Sequence, residues 1–499
     1  MCQVCEFAAT HEVRRPPPIF AATDDAPTRF ADPTHVEAQM GAAAAPPEGV
    51  GQKGRRTLIK GGVVVSLDEA VGNFASGDVL IEGAKIVAVG ASLDAADAAV
   101  IDASGHIVIP GFIDTHHHQF ETVLRSALAD AILINDGRPE SANNYYESVL
   151  LKLSQGYRPQ DVYINELFGS IAQIDAGVTA VHDVSQIHHS PEHSDAAVEA
   201  LKAAGRRAVL GYFEGWGEAT KYPGDARRLR ERYFSGGDQL LTMFMGGEIY
   251  LPGYEKAWEI GRELSLPVAL HVVGTFGMQA TFDALAAAGQ FGPDCFFIHM
   301  TGMSEVGWKA AADAGAHVSI AAPIEMHMRH GMPPIQKVID LGVSASLSSD
   351  VECTMSADMF TQMRGVLTLQ RMLANELALQ GKDYPKLMTS LDALKLATIG
   401  GAKGLKLDRV TGSLTPGKDA DIVLLDAEAL NVAPLNNAVG AVVTLMDRSN
   451  VSTVLCGGVV KKWRGALLGY DVAKLRAELE ASRDYVFAKA GLARELFNA

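Results

Sequence analysis

The sequence predicts an α/β fold: an eight-stranded (β/α)8 barrel of TIM type with a small β-sandwich domain built from both flanks of the chain. Three observations predict it. Short apolar runs alternate with helical stretches through the middle of the chain, and glycine-punctuated β-rich runs lie on either side of them. Polar residues of metal-ligating type stand directly after several of the central runs.

In chain order, residues 1–54 are rich in Ala, Pro, Thr and Asp, with no lasting helical or strand period, and read as a mobile extension. Cys2-x-x-Cys5 and His11 lack a second ligand pair and read as incidental tail sequence, not a metal knuckle. From residue 55 to 110 the texture is β-rich: Thr57–Leu67, Asp78–Val89 with a turn at Gly83-Ala84-Lys85, and Ala99–Ile109 with a turn at Ser104-Gly105. The same texture returns over 418–470, in Asp421–Leu425, Ala441–Leu445 and Val454–Lys462. Between them, residues 111–417 hold the barrel. Its strands are expected at Ile107–Asp114 (starting in the flank), Thr179–Val184, Ala208–Phe213, Leu241–Met245, Val268–Val273, Phe296–Met300, His317–Ala322 and Ser344–Leu347. In Asp161–Ala176, Leu167, Phe168, Ile171 and Ile174 share one helical face, and Gly177 closes the helix. An open doubly wound sheet is the competitor, disfavoured because no Gly-rich phosphate loop follows any strand. Residues 471–499 begin an amphipathic helix, with Leu475, Leu479, Tyr485 and Val486 among charges, that packs on the barrel or on a second subunit.

Composition narrows the function. Lys and Arg number 43 against 59 Asp and Glu, a formal net charge of −16, which argues against nucleic acid or anionic membranes as partners. Five scattered cysteines suit a reduced, cytoplasmic setting better than a disulfide framework. No apolar run is long enough to span a bilayer. Arg55-Arg56-Thr57-Leu58-Ile59-Lys60 looks like a twin-arginine export signal, but the apolar run behind it stops at Asp68-Glu69. A first β-strand after a basic linker is the better reading.

In a barrel, reactive groups gather where the strands' C-terminal ends converge. The first strand ends in Asp114-Thr115-His116-His117-His118, so on an extended backbone His116 and His118 face one way and His117 the other. Two imidazoles on one face can chelate one cation. His271, His299 and Asp350 follow the fifth, sixth and eighth strands in the same way. A lone histidine at such a place is usually structural; four with an aspartate, all at strand ends, read as a metal site.

On these motifs the chain resembles the amidohydrolase superfamily of metal-dependent hydrolases, in its triazine hydrolase and aminohydrolase branch. The resemblance is carried by Pro110-Gly111-Phe112-Ile113-Asp114-Thr115-His116-His117-His118, the strand-end histidines, Asp350, Ala397-Thr398-Ile399-Gly400-Gly401-Ala402 and the stretch Gly412 to Asp421. It covers roughly residues 57–470 and implies a barrel with a flanking β-sandwich. It also implies that His116, His118, His271 and Asp350 hold a divalent metal, with His299 beside the attacking water. Zinc is the first expectation, and the nitrogen-oxygen donor set would also accept Fe, Co or Mn. Several relatives bridge two metals with a carbamylated lysine after the fourth strand. Here Met245-Gly246-Gly247-Glu248 offers none, so one metal is expected, with Glu248 leaving a bridging carboxylate open.

Asp350 and His299 are the expected catalytic residues: the aspartate takes a proton from water and passes it to the leaving nitrogen, and the histidine polarises the attacked group. Aminohydrolases of this branch place a glutamate three residues after the fifth-strand histidine; here His271-Val272-Val273-Gly274 ends in glycine. That shifts the expectation to hydrolysis of an amide, carbamate or urea C–N bond of a small, partly apolar molecule. The alternative is deamination of an amino-heterocycle with Glu325 as substitute carboxylate, and the minor one an inactive barrel scaffold, which would be expected to have lost ligands. The His-x-Glu with Pro-Cys-x-x-Cys design of other zinc deaminases is absent. Substrate contacts are expected from His182, Glu325, His327 and Met278, with further methionines at 326, 328, 332, 355 and 359 either lining an apolar pocket or packing helices. A homo-oligomer is expected by resemblance.

Overall fold

The computed structural model describes residues 45–52, 54–236, 239–494 and 496; the Cys2, Cys5 and His11 group lies outside them. Among the described residues, seventeen strands form two sheets. The first sheet has nine strands: β1 (Arg56–Val65), β2 (Asn73–Glu82), β3 (Lys85–Gly90), β4 (Ala99–Asp102) and β5 (His106–Pro110) from one flank, and β14 (Ile422–Asp426), β15 (Val451–Cys456), β16 (Val459–Trp463) and β17 (Ala466–Leu467) from the other. Antiparallel pairing of β5 with β14 joins the flanks. Hydrogen bonding is continuous across all nine strands, and residues from both flanks, including Ile59, Val108, Ile422 and Leu455, meet in one core. Val50 packs into that core, so the folded chain begins ahead of residue 54. The Arg56–Lys60 stretch is the start of β1, as a strand following a linker should be.

The second sheet has eight parallel strands in chain order: β6 (Phe112–His117), β7 (Val178–Ser185), β8 (Arg207–Tyr212), β9 (Leu241–Gly246), β10 (Val268–Val273), β11 (Cys295–Thr301), β12 (His317–Ile320) and β13 (Ser344–Leu347). A parallel bridge between His117 and Asp350 brings its two ends together. Inside, Ile113, Ala180, Val209, Phe244, Phe296 and Ile298 fill the barrel with apolar volume from several strands. Helix Pro159–Asp175 covers β6 and β7, and helix Val472–Lys489 packs on it, with Leu479 and Val486 buried and Arg158 stacked on Tyr485. Among the described residues no helix is long and apolar enough to cross a membrane.

Three expected strands are corrected. The run 107–114 is two strands in different sheets, because the chain turns at Gly111 from one domain into the other. A Cβ there would lie 2.0 Å from Thr179 Oγ1, so only glycine lets β6 approach β7 at this point. The run Ala99–Ile109, by contrast, breaks into two strands at its expected Ser104-Gly105 turn. Val454–Lys462 is a hairpin turned by Gly457-Gly458, both at positive φ. Ala441–Leu445 is not a strand at all but lies in helix Ala438–Thr444, capped by Asn437, whose side chain accepts from the Gly440 amide at 2.6 Å. A short buried apolar run carries no period that separates helix from strand, and the cap decides it.

Candidate active site

Four histidines and one aspartate converge at the C-terminal mouth of the barrel. On β6 the pleat turns His116 and His118 to one side, and their Nε2 atoms lie 2.9 Å apart; His271 on β10 brings its Nε2 to 3.1 Å from that of His116. Asp350 Oδ1 lies 3.5 Å from His116 Nε2 and 3.6 Å from His118 Nε2, and Asp350 Oδ2 lies 3.5 Å from His299 Nε2. His117, on the opposite face, bonds through Nδ1 to the Asp350 carbonyl at 2.9 Å. The Asp350 amide donates to the His116 carbonyl and the His118 amide to the Asp350 carbonyl, both at 2.9 Å, so the eighth strand's exit is clamped to the first strand. Asp350 and His299 both adopt positive φ, 64° and 69°, the strained backbone that a fold tolerates where it must aim a functional group.

The tautomers fit a cation. His118 Nδ1 donates to the Val184 carbonyl at 2.8 Å and His271 Nδ1 to Glu248 Oε1 at 2.5 Å, so both Nε2 atoms present lone pairs toward the same point. Burial, followed by the neighbouring imidazoles, pulls His116 and His118 well below the usual histidine range, which keeps them neutral. Asp350 Oδ2 is buried with no hydrogen-bond partner, and burial pushes its carboxyl up to about 7. His116, His118 and His271 form one group with the spacing to hold a metal ion, and His116, His299 and Asp350 form a second that shares His116; a divalent cation would relieve the repulsion among their lone pairs. Glu248 stands behind His271, orienting its ring from the far side.

The profile of the Amidohydrolase family matches residues 107–461. The chain belongs to this family. It is 24% identical over 453 residues to the 5'-deoxyadenosine deaminase of Methanosarcina mazei, covering 87% of this chain and 98% of the relative. It is 24% identical to the 5-methylthioadenosine/S-adenosylhomocysteine deaminase of Pelotomaculum thermopropionicum, covering 85% and 97%. Among solved structures, an adenosine deaminase from Xanthomonas campestris with bound zinc superposes with a TM-score of 0.75 at 22% identity, over 87% of this chain and 99% of that one. A variant of atrazine chlorohydrolase from Arthrobacter aurescens, complexed with zinc and atraton, gives 0.72 at 19% identity, over 86% and 100%.

The mouth opens into a cavity beside the His–Asp cluster. Met278 and Met328 line it; Met326 and Met332 face solvent, and Met359 is helix core. Three of the four expected substrate contacts are placed elsewhere. His327 is exposed and bonds the Ala129 carbonyl through Nε2 at 2.7 Å, because the short helix Ala322–His327 turns it outward. His182 is buried inside the barrel, bonded to the Thr115 carbonyl at 3.0 Å and packed on Phe244 and Phe296. Glu325 is fully buried behind His299: its Oε1 lies 3.0 Å from His299 Nδ1 and accepts from the Ala321 amide at 2.9 Å. Burial pushes the Glu325 carboxyl well above the usual range.

Position 274 has a physical reason to be glycine. A Cβ there would meet Gly302 Cα at 3.0 Å and the Gly302 carbonyl oxygen at 3.1 Å, since the exits of β10 and β11 touch. The cavity's other walls come from the segments that strand periodicity says least about. Leu133, Tyr145 and Leu150 follow β6, Gln186 follows β7, Tyr250 follows β9 and His330 follows β12. Of these, Gln186 and Tyr250 stand just past a strand exit, the position that could have singled them out in the sequence.

Proposed function

We propose that this protein hydrolyses a C–N bond of amide, carbamate or urea type in a small, partly apolar molecule, with one divalent metal, zinc first, held by His116, His118, His271 and Asp350. The observation that carries the reading is the gathering of three imidazole Nε2 atoms, with the Asp350 carboxylate 3.5 Å from His116, beneath a largely apolar cavity. A cation bound there supplies Lewis acidity that brings the pKa of a water toward ~7. Asp350, facing the cluster and the cavity together, accepts the proton of the attacking water and returns it to the departing nitrogen. His299 stands on the other side of Asp350, with Glu325 fixing its ring, and steadies the charge that develops on the attacked oxygen.

Deamination of an amino-heterocycle is the second reading, favoured by the names of the relatives. Against it stands Gly274, which has no side chain to carry a proton and where a Cβ would need Gly302 to give by a few tenths of an ångström. An assay of the zinc-loaded protein against amides, carbamates, ureas and amino-heterocycles, following both ammonia and the released amine, separates the two. Cleavage confined to amino-heterocycles would replace the first reading with the second. The buried thiols Cys295, Cys353 and Cys456, free of disulfides, fit a reduced, cytoplasmic setting. The exposed Met372 and Leu379 on helix Met359–Leu379 support a homo-oligomer, which light scattering tests.

A further inference from the structure

We propose that the cavity selects an uncharged substrate with an aromatic or alkyl body, and that Gln186 and His330 are the side chains that recognise its polar edge. This deepens the C–N hydrolase reading and rests on it.

Outside the His–Asp cluster, four polar side chains among the described residues line the cavity: Tyr145, Gln186, Tyr250 and His330. Both tyrosine hydroxyls are committed to carboxylates behind the wall, Tyr145 donating to Glu121 at 2.5 Å and Tyr250 to Glu214 at 2.7 Å. Gln186 Nε2 donates to Glu214 Oε1 at 2.9 Å and to the Tyr250 oxygen at 3.2 Å. Once Glu214 is ionised, above about pH 7, its Oε1 can only accept, and the end of the Gln186 amide facing it is then the nitrogen. The Gln186 carbonyl oxygen is left over, buried and without a protein partner. Both ring nitrogens of His330 are also without a partner, on a side chain only 3% exposed whose ring stacks edge-on against His299.

Buried polar atoms are nearly always hydrogen-bonded, and three free ones belong to two side chains that line one cavity, which points to a ligand that completes the set. Gln186 asks for an N–H or O–H donor. A neutral imidazole at 330 asks for one donor and one acceptor. An amide, carbamate or urea presents both kinds of group on adjacent atoms. The remaining walls, among them Leu133, Phe276, Met278 and Met328, suit a flat or flexible apolar body. Charge is the excluding feature. Among the described residues no Lys or Arg lines the cavity, and its one carboxylate, Asp350, belongs to the cluster. A charged group on the body of the substrate, away from the His–Asp cluster, would therefore lose its hydration without gaining a partner.

The test uses matched probes on the zinc-loaded full chain: acetanilide and phenylurea against 4-acetamidobenzoate and 4-ureidobenzoate. The neutral probes are expected to show kcat/KM at least tenfold above their carboxylated partners. Gln186→Leu and His330→Phe are each expected to raise KM for the neutral probes at least fivefold with kcat changed less than twofold and zinc content unchanged. His330→Gln, which restores a donor and an acceptor, should recover most of that loss; if the His330→Phe variant does not fold, His330→Leu carries the same expectation. Equal kcat/KM for neutral and carboxylated probes, or a KM that neither position moves, overturns the proposal. If no probe is cleaved, it is the hydrolase reading that fails. Calorimetric titration of the same pairs onto the wild-type chain then decides: tighter binding of the neutral probes, weakened by Gln186→Leu, supports the proposal, and equal or absent binding overturns it.

Discussion

Asp350 joins three demands in one residue: it faces three imidazoles, its backbone is held at positive φ, and its carboxylate oxygen Oδ2 has no hydrogen-bond partner. Asp350→Asn keeps the shape but cannot accept the water's proton, and is expected to lower kcat/KM by about 10²–10⁴-fold; full activity of zinc-loaded Asp350→Asn would remove it from the proton path. Glu325 and Glu248 act at one remove, each bonded to the Nδ1 atom of a histidine in the cluster. Loss of such an outer partner costs about 10–100-fold in metal affinity or activity. Glu248→Ala is therefore expected to weaken zinc binding by that factor in a chelator competition. Glu325→Gln should leave zinc binding in place and lower kcat, because His299 contacts the reacting region without completing the three-nitrogen donor set. Zinc affinities that respond in the opposite order would exchange the two roles.

Strand exits govern what chemistry the elements permit, and β10 and β11 show it most directly. Gly274 and Gly302 face each other so closely that a Cβ on Gly274 would fall 3.0 Å from its neighbour's Cα. Gly274→Glu is expected to lower the melting temperature through overpacking, at a cost of about 1–3 kcal/mol, and to give no ammonia release from amino-heterocycles. Scanning fluorimetry and an ammonia assay check both, and a well-folded variant that gained deamination would show the glycine to be incidental. The same scale explains what the sequence disclosed. The barrel strands and the His–Asp cluster were legible because a parallel strand is a compact apolar run and a ligand at its end breaks the run abruptly, as in Val268-Ala269-Leu270-His271. The split at Gly111 was hidden because residues 107–113 carry no charged or polar side chain, and apolarity does not record a change of sheet. Glu325 and His327 were indistinguishable by position just past a strand; which one turned inward was fixed by a helix of six residues that no period announces. Gln186 and His330 stand in loops, where a side chain's direction follows from tertiary packing alone.

Across the whole molecule, buried ionisable groups away from the cluster tie stability to pH, in two opposing senses. His317 is enclosed between Ser344 and Ser346, whose hydroxyls lie 2.8 Å from its two ring nitrogens, and burial pulls its pKa down to about 3. Unfolded, it would take up a proton below 6.5. Its contribution to stability is therefore full above pH 6.5 and lost as pH falls toward 3, at about 1.4 kcal/mol per pH unit. Glu214 is the reverse case: burial, with Glu248 nearby, pushes its carboxyl up to about 7. The folded state holds that proton while the unfolded chain releases it above the model value of 4.5, so its contribution is full below 4.5 and lost as pH rises through 7. In the wild type the two slopes partly cancel, and single variants separate them. Relative to wild type, His317→Asn is expected to become less destabilising as pH falls from 6.5 to 4.5, by about 2–3 kcal/mol. Glu214→Gln should become less destabilising as pH rises from 4.5 to 7, by a similar amount. Urea unfolding at a series of pH values measures both differences, and the pH dependence of zinc binding, common to variant and wild type, drops out of each. Two parallel stability curves would mean that His317 is charged, or Glu214 ionised, in the folded protein throughout this range.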